Sequence, residues 1–237
     1  MRIALSGYGK MGKAIEHEAL ERGHTIGLKL DSSNEEIDPS AFQGIELMID
    51  FSTPKVVAGN IHRAFDLGIP VVVGTTGWED EFDALCQRCD KEGQTLFHAP
   101  NFSIGVNLFF AVNRYLAGLM NEHPEYDVEV DEIHHKEKKD APSGTAVRIA
   151  KDLLEALDRK ADWVKEKADD PARLKVGSER KDDVKGTHTV RYASPIDDIT
   201  IQHKARSRKG FALGAVLAAE WVKDRKGLFT MRDMLDL

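Results

Sequence analysis

Apolar and polar positions in the first hundred residues alternate between two patterns, short β-branched runs and amphipathic stretches with a helical period. The β-branched runs predict five strands, at Arg2–Ser6, Thr25–Leu30, Leu47–Asp50, residues 70–73 and Thr95–His98. The amphipathic stretches predict helices between them, one with Met11, Ala14, Ile15 and Ala19 on a single face and another over residues 56–65. Strands and helices in this order are typical of a parallel sheet covered on both faces, which is an α/β fold.

The pattern changes after Asn101, where helices and strands no longer alternate regularly. The predicted elements are a long apolar helix over residues 106–120, a strand at Asp127–His134, a helix with Ala146, Ile149, Ala150, Leu153 and Leu157 on one face, and strands at Thr187–Ala193 and residues 199–205 joined by a turn. This order predicts a second domain of the α+β class.

Three parts of the later sequence carry weaker patterns. Residues 158–185 are highly charged and nearly free of aromatic side chains, which predicts an exposed excursion with at most one helical turn. Residues 211–222 predict an alanine-rich helix, and Gly227, Leu228 and Phe229 predict a turn.

Length, charge and hydropathy limit the class of protein. The 237 residues are enough for two domains of modest size, each with its own core. The net charge of −7 argues against a nucleic-acid-binding protein, which would carry a basic excess on at least one face. No stretch approaches the roughly 18 uninterrupted apolar residues of a membrane span, and the sequence begins with a strand instead of an apolar leader. We therefore expect a cytoplasmic protein that binds neither nucleic acid nor membrane.

The two cysteines, Cys86 and Cys89, have the spacing of a redox pair. Together with Phe82 and Leu85, they also follow the i, i+3, i+4, i+7 spacing of a buried helix face. A redox pair normally stands at the start of a helix, whereas these cysteines lie within one. We therefore interpret them as core residues and not as a redox site.

A glycine-rich turn, Gly7-Tyr8-Gly9-Lys10-Met11-Gly12, follows the first predicted strand and opens the first helix. In this spacing the first glycine permits a tight turn, the second lets the backbone approach a pyrophosphate, and the third lets the helix pack on the sheet. Asp31 ends the second strand, at the position where an acidic residue binds a ribose 2′-hydroxyl. The turn therefore predicts a dinucleotide site, and the alternative is a tight turn that binds nothing.

Two further loops follow strands of the same predicted sheet. They are Phe51-Ser52-Thr53-Pro54 and Gly74-Thr75-Thr76-Gly77. Ligands of open α/β sheets bind beyond the carboxyl ends of the strands, so both loops could line the cofactor. Ordinary turn chemistry explains each loop equally well when it is taken alone.

The densest cluster of chemical groups runs from Glu132 to Thr145. Two histidines and three lysines lead into the sequence Pro142-Ser143-Gly144-Thr145, which opens a helix. Ser143 or Thr145 could simply cap that helix, but the free N–H groups at its start also form an anion site. In an acidic protein, this cluster favours a substrate that bears carboxylates.

Two residues of the cluster are suited to proton transfer. A histidine can donate or accept a proton near neutral pH, so His134 is suited to supply the proton that accompanies a hydride, and Lys138 can bind or protonate the substrate. For Lys136 and Lys139 we favour solvent-exposed side chains without a role in the site.

Nearly the whole sequence resembles the dihydrodipicolinate reductase family of lysine and diaminopimelate biosynthesis. The resemblance includes the Gly7 to Gly12 turn and the segment from Glu132 to Ala146, whose His-His-Lys-Pro-Ser-Gly-Thr residues are highly specific to that family. The other similar segments are Gly74-Thr75-Thr76, Asn101 to Asn107, Gly186 to Thr189, Ser207 to Trp221 and Gly227 to Asp233.

The resemblance implies a site and its cofactor, either NADH or NADPH. His134 is implied as proton donor and acceptor and Lys138 as a second proton donor. The residues implied to bind the substrate carboxylates are His135, Ser143, Gly144 and Thr145. The residues implied to contact the cofactor are Gly7 to Gly12, Asp31, Gly74, Thr75, Thr76, Ala99, Pro100, Asn101 and Phe102. No metal is implied.

The resemblance also implies the domain organisation. Residues 1–102 and the C-terminal helices in residues 209–237 form a Rossmann dinucleotide-binding domain, and residues 103–208 form the substrate-binding domain, whose sheet builds a homotetramer. Two departures from the common family form affect cofactor binding: the glycine loop is one residue shorter, and Ser32 stands where many members carry arginine.

Two other functions fit the same domain pattern. A dehydrogenase of the sugar-dehydrogenase type also joins a Rossmann domain to an α+β domain, but it does not predict the run from His134 to Thr145. A non-catalytic dinucleotide sensor would retain the fold alone, since fold does not imply function. The presence of both His134 and Lys138 favours a reductase acting on a small dicarboxylate.

Overall fold

The structure is a computed structural model that describes residues 1–31, 37–165 and 170–237. These residues form two compact units, one of Met1–Ile104 with Lys209–Leu237 and one of Gly105–Arg208. Within the described ranges, no helix is both long and apolar enough to span a membrane.

The secondary structure contains both helices and strands throughout. In chain order the strands are β1 (Arg2–Ser6), β2 (Thr25–Leu30), β3 (Leu47–Asp50), β4 (Val71–Val73), β5 (Thr95–His98), β6 (Asp127–His134), β7 (Asp162–Val164), β8 (Arg173–Arg180), β9 (Thr187–Ala193), β10 (Asp198–Lys204) and β11 (Gly227–Phe229). The α-helices are α1 (Lys10–Glu21), α2 (Pro54–Asp66), α3 (Glu79–Glu92), α4 (Ile104–Asn121), α5 (Gly144–Ala156), α6 (Lys209–Val222) and α7 (Met231–Leu235), and Pro39–Phe42 forms a 3₁₀ helix.

The first unit is built on a parallel sheet of six strands in the order β11-β5-β4-β3-β1-β2. Strands β3 and β4 are buried at every position, as expected when helices cover both faces of a parallel sheet. The five strands and the α/β fold predicted from the hydrophobic pattern are confirmed, with β4 beginning one residue later than predicted.

The strand order reverses at β1 in this sheet. The chain passes from β1 to β2 on one side and then to β3 on the other side of β1. Ligands of open α/β sheets bind in the crevice outside the carboxyl ends of the strands at such a reversal. The loops after β1 and β3 therefore lie where a ligand of this sheet would bind.

The prediction of a turn at Gly227, Leu228 and Phe229 is wrong. These residues form β11, which pairs in parallel with β5 and adds a sixth strand to the sheet. A run of three residues carries too little pattern to identify a strand, and its partner lies more than a hundred residues earlier in the sequence.

The second unit has a mixed sheet of five strands in the order β10-β9-β6-β8-β7. Strands β6, β9 and β10 pair antiparallel, whereas β6, β8 and β7 pair in parallel. A core forms where apolar residues of α4 and α5 meet the sheet; among its buried members are Phe109, Ala117, Val130, Ile149, Leu153 and Tyr192. The predicted α+β class of this part is confirmed.

The prediction that residues 158–185 form an exposed excursion is wrong. The stretch contains β7 and β8, and β8 pairs with β6 near the middle of the sheet. Leu174 and Val176 on β8 are fully buried. Lys160 is also buried, where Nζ donates to Oδ1 of Asp127 at 2.7 Å and to a backbone carbonyl at the same distance. Charged residues occupy alternate, outward positions of β8, so the composition of the stretch does not reveal its apolar face.

The prediction that the cysteines are core residues is confirmed for Cys89, whereas Cys86 lies at the edge of the same helix face. Cys86 and Cys89 lie within α3, where Leu85 and Cys89 are fully buried and Cys86 is half-buried. Burial raises the pKa of both thiols, that of Cys89 to about 11. Thiols that stay protonated in this way are poor nucleophiles, which fits a packing role.

Candidate active site

The glycine turn of the first unit has the backbone geometry that its spacing predicts. Gly7 has a φ of +85°, and its N–H donates to the carbonyl of Leu30 at 2.9 Å. A Cβ at Gly12 would lie 2.5 Å from the carbonyl oxygen of Gly7, so only glycine lets α1 approach the turn this closely. By contrast, a Cβ at Gly9 would meet nothing within 4 Å. The open space beside Gly9, at the N-terminus of α1, suits a bound pyrophosphate.

A buried carboxylate connects the loops around this turn. Asp50 at the end of β3 is fully buried and accepts hydrogen bonds from the hydroxyl of Thr75 at 2.6 Å and from the N–H and hydroxyl of Ser52 at 3.0 and 2.7 Å. Asn60 donates both to Asp50 and to the hydroxyl of Ser6 at the end of β1. The network therefore holds the carboxyl ends of β1 and β3 and the loop after β4 in one arrangement.

The carboxyl ends of β4 and β5 enclose a cavity of about 260 Å³ in the first unit. Four of its lining residues are predicted cofactor contacts. The lining consists of Val73, Thr75, Thr76, Trp78, Glu79, Phe82, His98, Ala99 and Pro100. The indole N–H of Trp78 donates to the carbonyl of Thr75 at 2.7 Å, which holds this wall in place.

The remaining predicted cofactor residues belong to the loops after β4 and β5 and to the start of α1. Gly74 lies against the ring of Phe51, and Asn101 accepts the N–H of Ser103 through its side chain at 2.9 Å. Phe102 is buried and stacks on Phe97, so its ring supports the loop from within the core. Lys10 and Met11 lie in the first turn of α1.

Lys29, near the end of β2, binds two side chains at the glycine turn and the helix that follows it. Lys29 Nζ lies 2.7 Å from Oε1 of Glu16 and donates to the hydroxyl of Tyr8 at 3.1 Å. The same ammonium lies 4.5 Å from the centre of the Tyr8 ring, and the Tyr8 hydroxyl also donates to Glu16. Asp31 follows β2 and is exposed, whereas Ser32 lies outside the described residues.

In the second unit, strand register aligns a row of polar side chains. Glu132 on β6 is paired with Ser178 on β8 and with His188 on β9. His134, two residues further along β6, is paired with Arg180. Because side chains alternate along a strand, Glu132 and His134 share the buried face.

One oxygen of the buried Glu132 carboxylate is held by three donors. Its Oε1 accepts the N–H of Ser143 at 2.9 Å, the hydroxyl of Ser178 at 3.0 Å and Nη2 of Arg180 at 3.3 Å. Burial by itself would raise the pKa of Glu132, but hydrogen bonds from two histidines and from Ser143 outweigh it and hold the pKa well below its usual range. Glu132 is therefore a fixed negative charge within the unit.

The other oxygen of this carboxylate faces two imidazoles. Oε2 of Glu132 lies 3.2 Å from Nδ1 of His134 and 3.7 Å from Nε2 of His188. The two rings meet edge to face, with centres 5.1 Å apart. Burial lowers the pKa of His188, an effect that its hydrogen bond to Glu132 only partly opposes.

Ser143 immediately precedes α5 and connects this helix to Glu132 and His188. Its hydroxyl accepts the N–H of Ala146 at 3.2 Å, so the residue caps the helix, and the same oxygen lies 3.2 Å from Nε2 of His188. Ser143 is buried, whereas Gly144 is exposed and Thr145 half-buried. The first-turn N–H groups of a helix have no partner within the helix, which makes this end an anion site.

The lysines of the loop differ in exposure and in their ion-pair partners. Lys138 is about a quarter exposed and pairs with Asp140 at 2.9 Å, in a segment that Arg180 holds by donating to the carbonyls of Lys138 and Asp140. Lys136 is exposed and pairs with Asp182, and Lys139 is exposed. His135 is half-buried, and its carbonyl accepts the N–H of Lys138.

The same cluster contains a possible set of metal donors. Glu132, His134 and His188 each offer one atom, and these atoms lie within 4.8 Å of one another. A carboxylate and two imidazoles are a donor set that Zn²⁺ accepts. However, the Arg180 guanidinium shares the Glu132 carboxylate, and a nearby cation disfavours a divalent ion. The expectation of no metal stays a prediction.

Sequence reasoning assigned no role to several residues of these networks. Glu132 was recognised only as the start of a segment, and its spacing of two from His134 on a strand was the available signal. Arg180 lies in the stretch that was predicted to be an excursion. His188 gave no local signal, because its partners Glu132 and Ser143 lie more than forty residues earlier in the sequence. Asp50 was recognised only as the end of a strand, because Thr75, which donates to it, lies 25 residues later.

Comparisons with known families agree along the whole chain. The family model described as Dihydrodipicolinate reductase, N-terminus, matches residues 1–102, and that described as Dihydrodipicolinate reductase, C-terminus, matches residues 105–235. A 4-hydroxy-tetrahydrodipicolinate reductase from Christiangramia forsetii is 47% identical over 235 residues, which cover 99% of this chain and 98% of the relative. A protein of the same name from Neisseria meningitidis is 33% identical and covers 100% of this chain and 98% of that relative.

Solved structures share the fold. A dipicolinate-bound dihydrodipicolinate reductase from Paenisporosarcina sp. TG-14 matches with a TM-score of 0.77 at 23% identity and covers 97% of both chains. A probable dehydrogenase from Thermotoga maritima matches with a TM-score of 0.56 at 9% identity, covering 98% of this chain and 92% of that chain. At these identities the likeness is one of fold alone.

Proposed function

Because this chain belongs to the dihydrodipicolinate reductase family, we propose that its first unit binds the dinucleotide and its second unit binds the substrate around His134. The activity is the reduction of 4-hydroxy-tetrahydrodipicolinate to tetrahydrodipicolinate in lysine and diaminopimelate biosynthesis, with NADH or NADPH as hydride donor. In this reaction the substrate loses water, gains a hydride from the reduced nicotinamide and gains one proton.

The proposed cofactor site follows the carboxyl ends of the first sheet. Gly9 and the N-terminal turn of α1 would hold the pyrophosphate, because the backbone is open there and the helix presents N–H groups. Asp31 would bind the ribose near β2. The loops with Gly74, Thr75 and Thr76 and with Ala99 to Phe102 would hold the other half of the dinucleotide. The bound group supplies the hydride.

The proposed substrate site lies where the basic loop meets α5. The first-turn N–H groups at Gly144 and Thr145 bind one carboxylate, with the Thr145 hydroxyl and the His135 ring as further donors. Ser143 belongs to this segment and shapes it by capping α5. His134 supplies the proton that accompanies the hydride, and Lys138 acts as a second proton donor.

One observation carries this assignment. The strand that ends in the basic loop brings His134 and a buried, ionised carboxylate together, and that carboxylate also binds the residue that caps α5. A proton donor and an anion site are thus built from one continuous segment. A non-catalytic dinucleotide sensor needs neither of them.

An activity assay with a single substitution tests the proposal. Purified protein is mixed with NADPH or NADH and enzymatically generated 4-hydroxy-tetrahydrodipicolinate, and absorbance of the reduced nicotinamide is followed. We expect His134→Gln to lower kcat by about 10²-fold or more, as for loss of a general acid, with cofactor affinity nearly unchanged. A glutamine variant with full activity would remove His134 from the mechanism.

The setting of the enzyme is also proposed. We propose that the enzyme works in the cytoplasm, and we expect four copies of the chain to associate through the sheet of the second unit. Light scattering on the purified protein would then give four times the 26.4 kDa of one chain. A monomer mass across the working concentration range contradicts the tetramer.

A further inference from the structure

In the second unit, a buried carboxylate oxygen of Glu132 faces a buried ring nitrogen of His134. Oε2 of Glu132 and Nδ1 of His134 are both inaccessible to water, and among the described residues neither forms a hydrogen bond of regular geometry. They lie 3.2 Å apart, within ion-pair distance. Because buried polar atoms are almost always paired, each atom is the natural partner of the other.

We propose that Glu132 is a positioning residue that binds the Nδ1–H of His134 and so leaves Nε2 as the atom that transfers the proton. The inference rests on the proposed role of His134 and adds which ring nitrogen acts and what holds it. A neutral imidazole has one donor and one acceptor nitrogen, and the partner of one nitrogen decides the state of the other.

The surroundings of Nε2 support this division between the two nitrogens. Gly186 lies against that side of the ring, and a Cβ at Gly186 would come within 3.0 Å of Nε2. Any larger residue at that position would press on the reacting atom. Nδ1, by contrast, is inaccessible and faces the carboxylate.

Glu132 is itself held firmly enough to orient another side chain. Its Oε1 is bound by Ser143, Ser178 and Arg180, which come from α5 and from the neighbouring strand β8. Only Oε2 faces the imidazoles, so the carboxylate cannot rotate away without losing three hydrogen bonds. The guanidinium of Arg180 also stabilises the ionised form of Glu132.

His188 is the competing partner for Oε2, and its geometry is poorer. Its Nε2 lies 3.7 Å from Oε2 but 3.2 Å from the hydroxyl oxygen of Ser143. Burial lowers the pKa of His188 and favours its neutral form. His188 therefore packs against the edge of His134, while His134 takes the carboxylate.

The test is the isosteric substitution Glu132→Gln, which keeps the shape but removes the charge. We expect kcat to fall by about 10-fold or more, because the ring loses its fixed orientation and tautomer. The Kd for pyridine-2,6-dicarboxylate should change by less than about threefold, since the anion site is retained. The matched control is Glu129→Gln on the same strand, where the carboxylate binds Lys175 and Arg191 and does not approach His134.

A second measurement separates positioning from simple loss of structure. If Glu132 acts through His134, adding Glu132→Gln to His134→Gln should reduce kcat by less than about twofold further. In protein with ¹⁵N-labelled histidine, NMR should show the Nδ1–H tautomer of neutral His134 in the wild type and a smaller fraction of it in Glu132→Gln. A general loosening of the fold would instead lower kcat further in the double variant and would not by itself change which nitrogen of His134 is protonated.

The outcomes distinguish this inference from the function on which it rests. A Glu132→Gln variant within about threefold of wild-type kcat, beside an impaired His134→Gln, overturns only the part assigned to Glu132. Additive losses in the double variant, or a wild-type His134 ring protonated at Nε2, overturn it as well. Full activity of His134→Gln would instead overturn the proposed role of His134.

Discussion

Single side chains at the start of α5 decide how an anion would bind there. The hydroxyl of Ser143 is occupied by the Ala146 N–H and by the His188 ring. Thr145 is half-buried in the first turn, next to the exposed Gly144. Thr145 is therefore the hydroxyl of this turn that is better placed to reach a bound carboxylate.

Replacement of Thr145 measures that contact. Pyridine-2,6-dicarboxylate, a planar dianion, should inhibit competitively with the substrate, and Thr145→Ala should weaken it by about 0.5–2 kcal/mol, as for one lost hydrogen bond. The inhibition constant of each variant gives the value directly. Thr200→Ala, at an exposed position on β10, is the matched control and should leave the constant unchanged. Non-competitive inhibition would place the carboxylates elsewhere.

Cofactor choice also depends on individual charges. Asp31 can accept hydrogen bonds from the ribose hydroxyls of NADH, whereas a 2′-phosphate would bring like charge against it. Lys10 and Lys29 could offset that repulsion. In the structure, Lys29 is already paired with Glu16, whose hydrogen bond raises the pKa of the lysine. Lys29 therefore stays protonated, but the negative charge of Glu16 already offsets part of its attraction for a phosphate.

Both cofactors should support turnover, with NADH favoured by no more than about tenfold in kcat/KM. Glu16→Gln should shift the ratio toward NADPH by roughly two- to fivefold, because it releases Lys29 from an exposed ion pair. Both ratios are measured at one fixed ionic strength, since salt screens these charges. The matched control is Glu21→Gln, on the same helix but paired with Lys209. An NADPH preference above tenfold would show that the lysines outweigh Asp31.

At the scale of elements, β8 carries more of the second unit than its composition suggests. It lies between β6 and β7 and presents Leu174 and Val176 to the core. It also supplies Ser178 and Arg180 to the Glu132 carboxylate. Loss of this strand would remove both a core layer and the support of the site.

A core truncation on β8 tests this role. Leu174→Ala should lower the free energy of unfolding by about 2–5 kcal/mol, because it leaves a cavity among packed side chains. Denaturant unfolding of the purified protein measures the change. Glu179→Ala, at an exposed position of the same strand, should cost less than about 0.5 kcal/mol. Equal effects of the two substitutions would contradict the buried placement of β8.

At the scale of the whole molecule, buried histidines connect stability to pH. Burial lowers the pKa of His98, His188 and His203 from the usual value of 6.5. The unfolded chain therefore takes up protons at these sites before the folded protein does. Stability is fully present above about pH 6.5 and is lost as the pH falls toward the folded-state pKa values.

His98 offers a clear test, since its ring packs against Phe82 with centres 4.6 Å apart. The Tm should fall between about pH 7.5 and 5.5, and His98→Phe should make that fall smaller because the uncharged ring has no proton to gain. Calorimetry at the two pH values measures the difference. His123→Gln, at an exposed position, should not alter the fall. A steeper fall in His98→Phe would contradict the assigned sign.

The sequence by itself determined the features that depend on neighbouring residues. The glycine turn, the five strands before Asn101 and a helix capped by Ser143 or Thr145 all follow from local rules of backbone geometry and side-chain period. The structure then assigned the cap to Ser143. The same rules identified the basic loop and its two candidate proton donors. The assignment of particular residues to the substrate carboxylates came from family resemblance, and all roles in the loop stay predictions.

Only the tertiary structure decided which distant segments pair. The chain places β8 beside β6 and β11 beside β5, and it brings Arg180 and His188 to Glu132 from more than forty residues away. The alternation of side chains along a strand does not specify which strand it pairs with. The pairing is decided only when the apolar face of the strand is buried in the core. Sequence pattern therefore located the candidate loop, whereas packing of the sheet decided which carboxylate His134 faces.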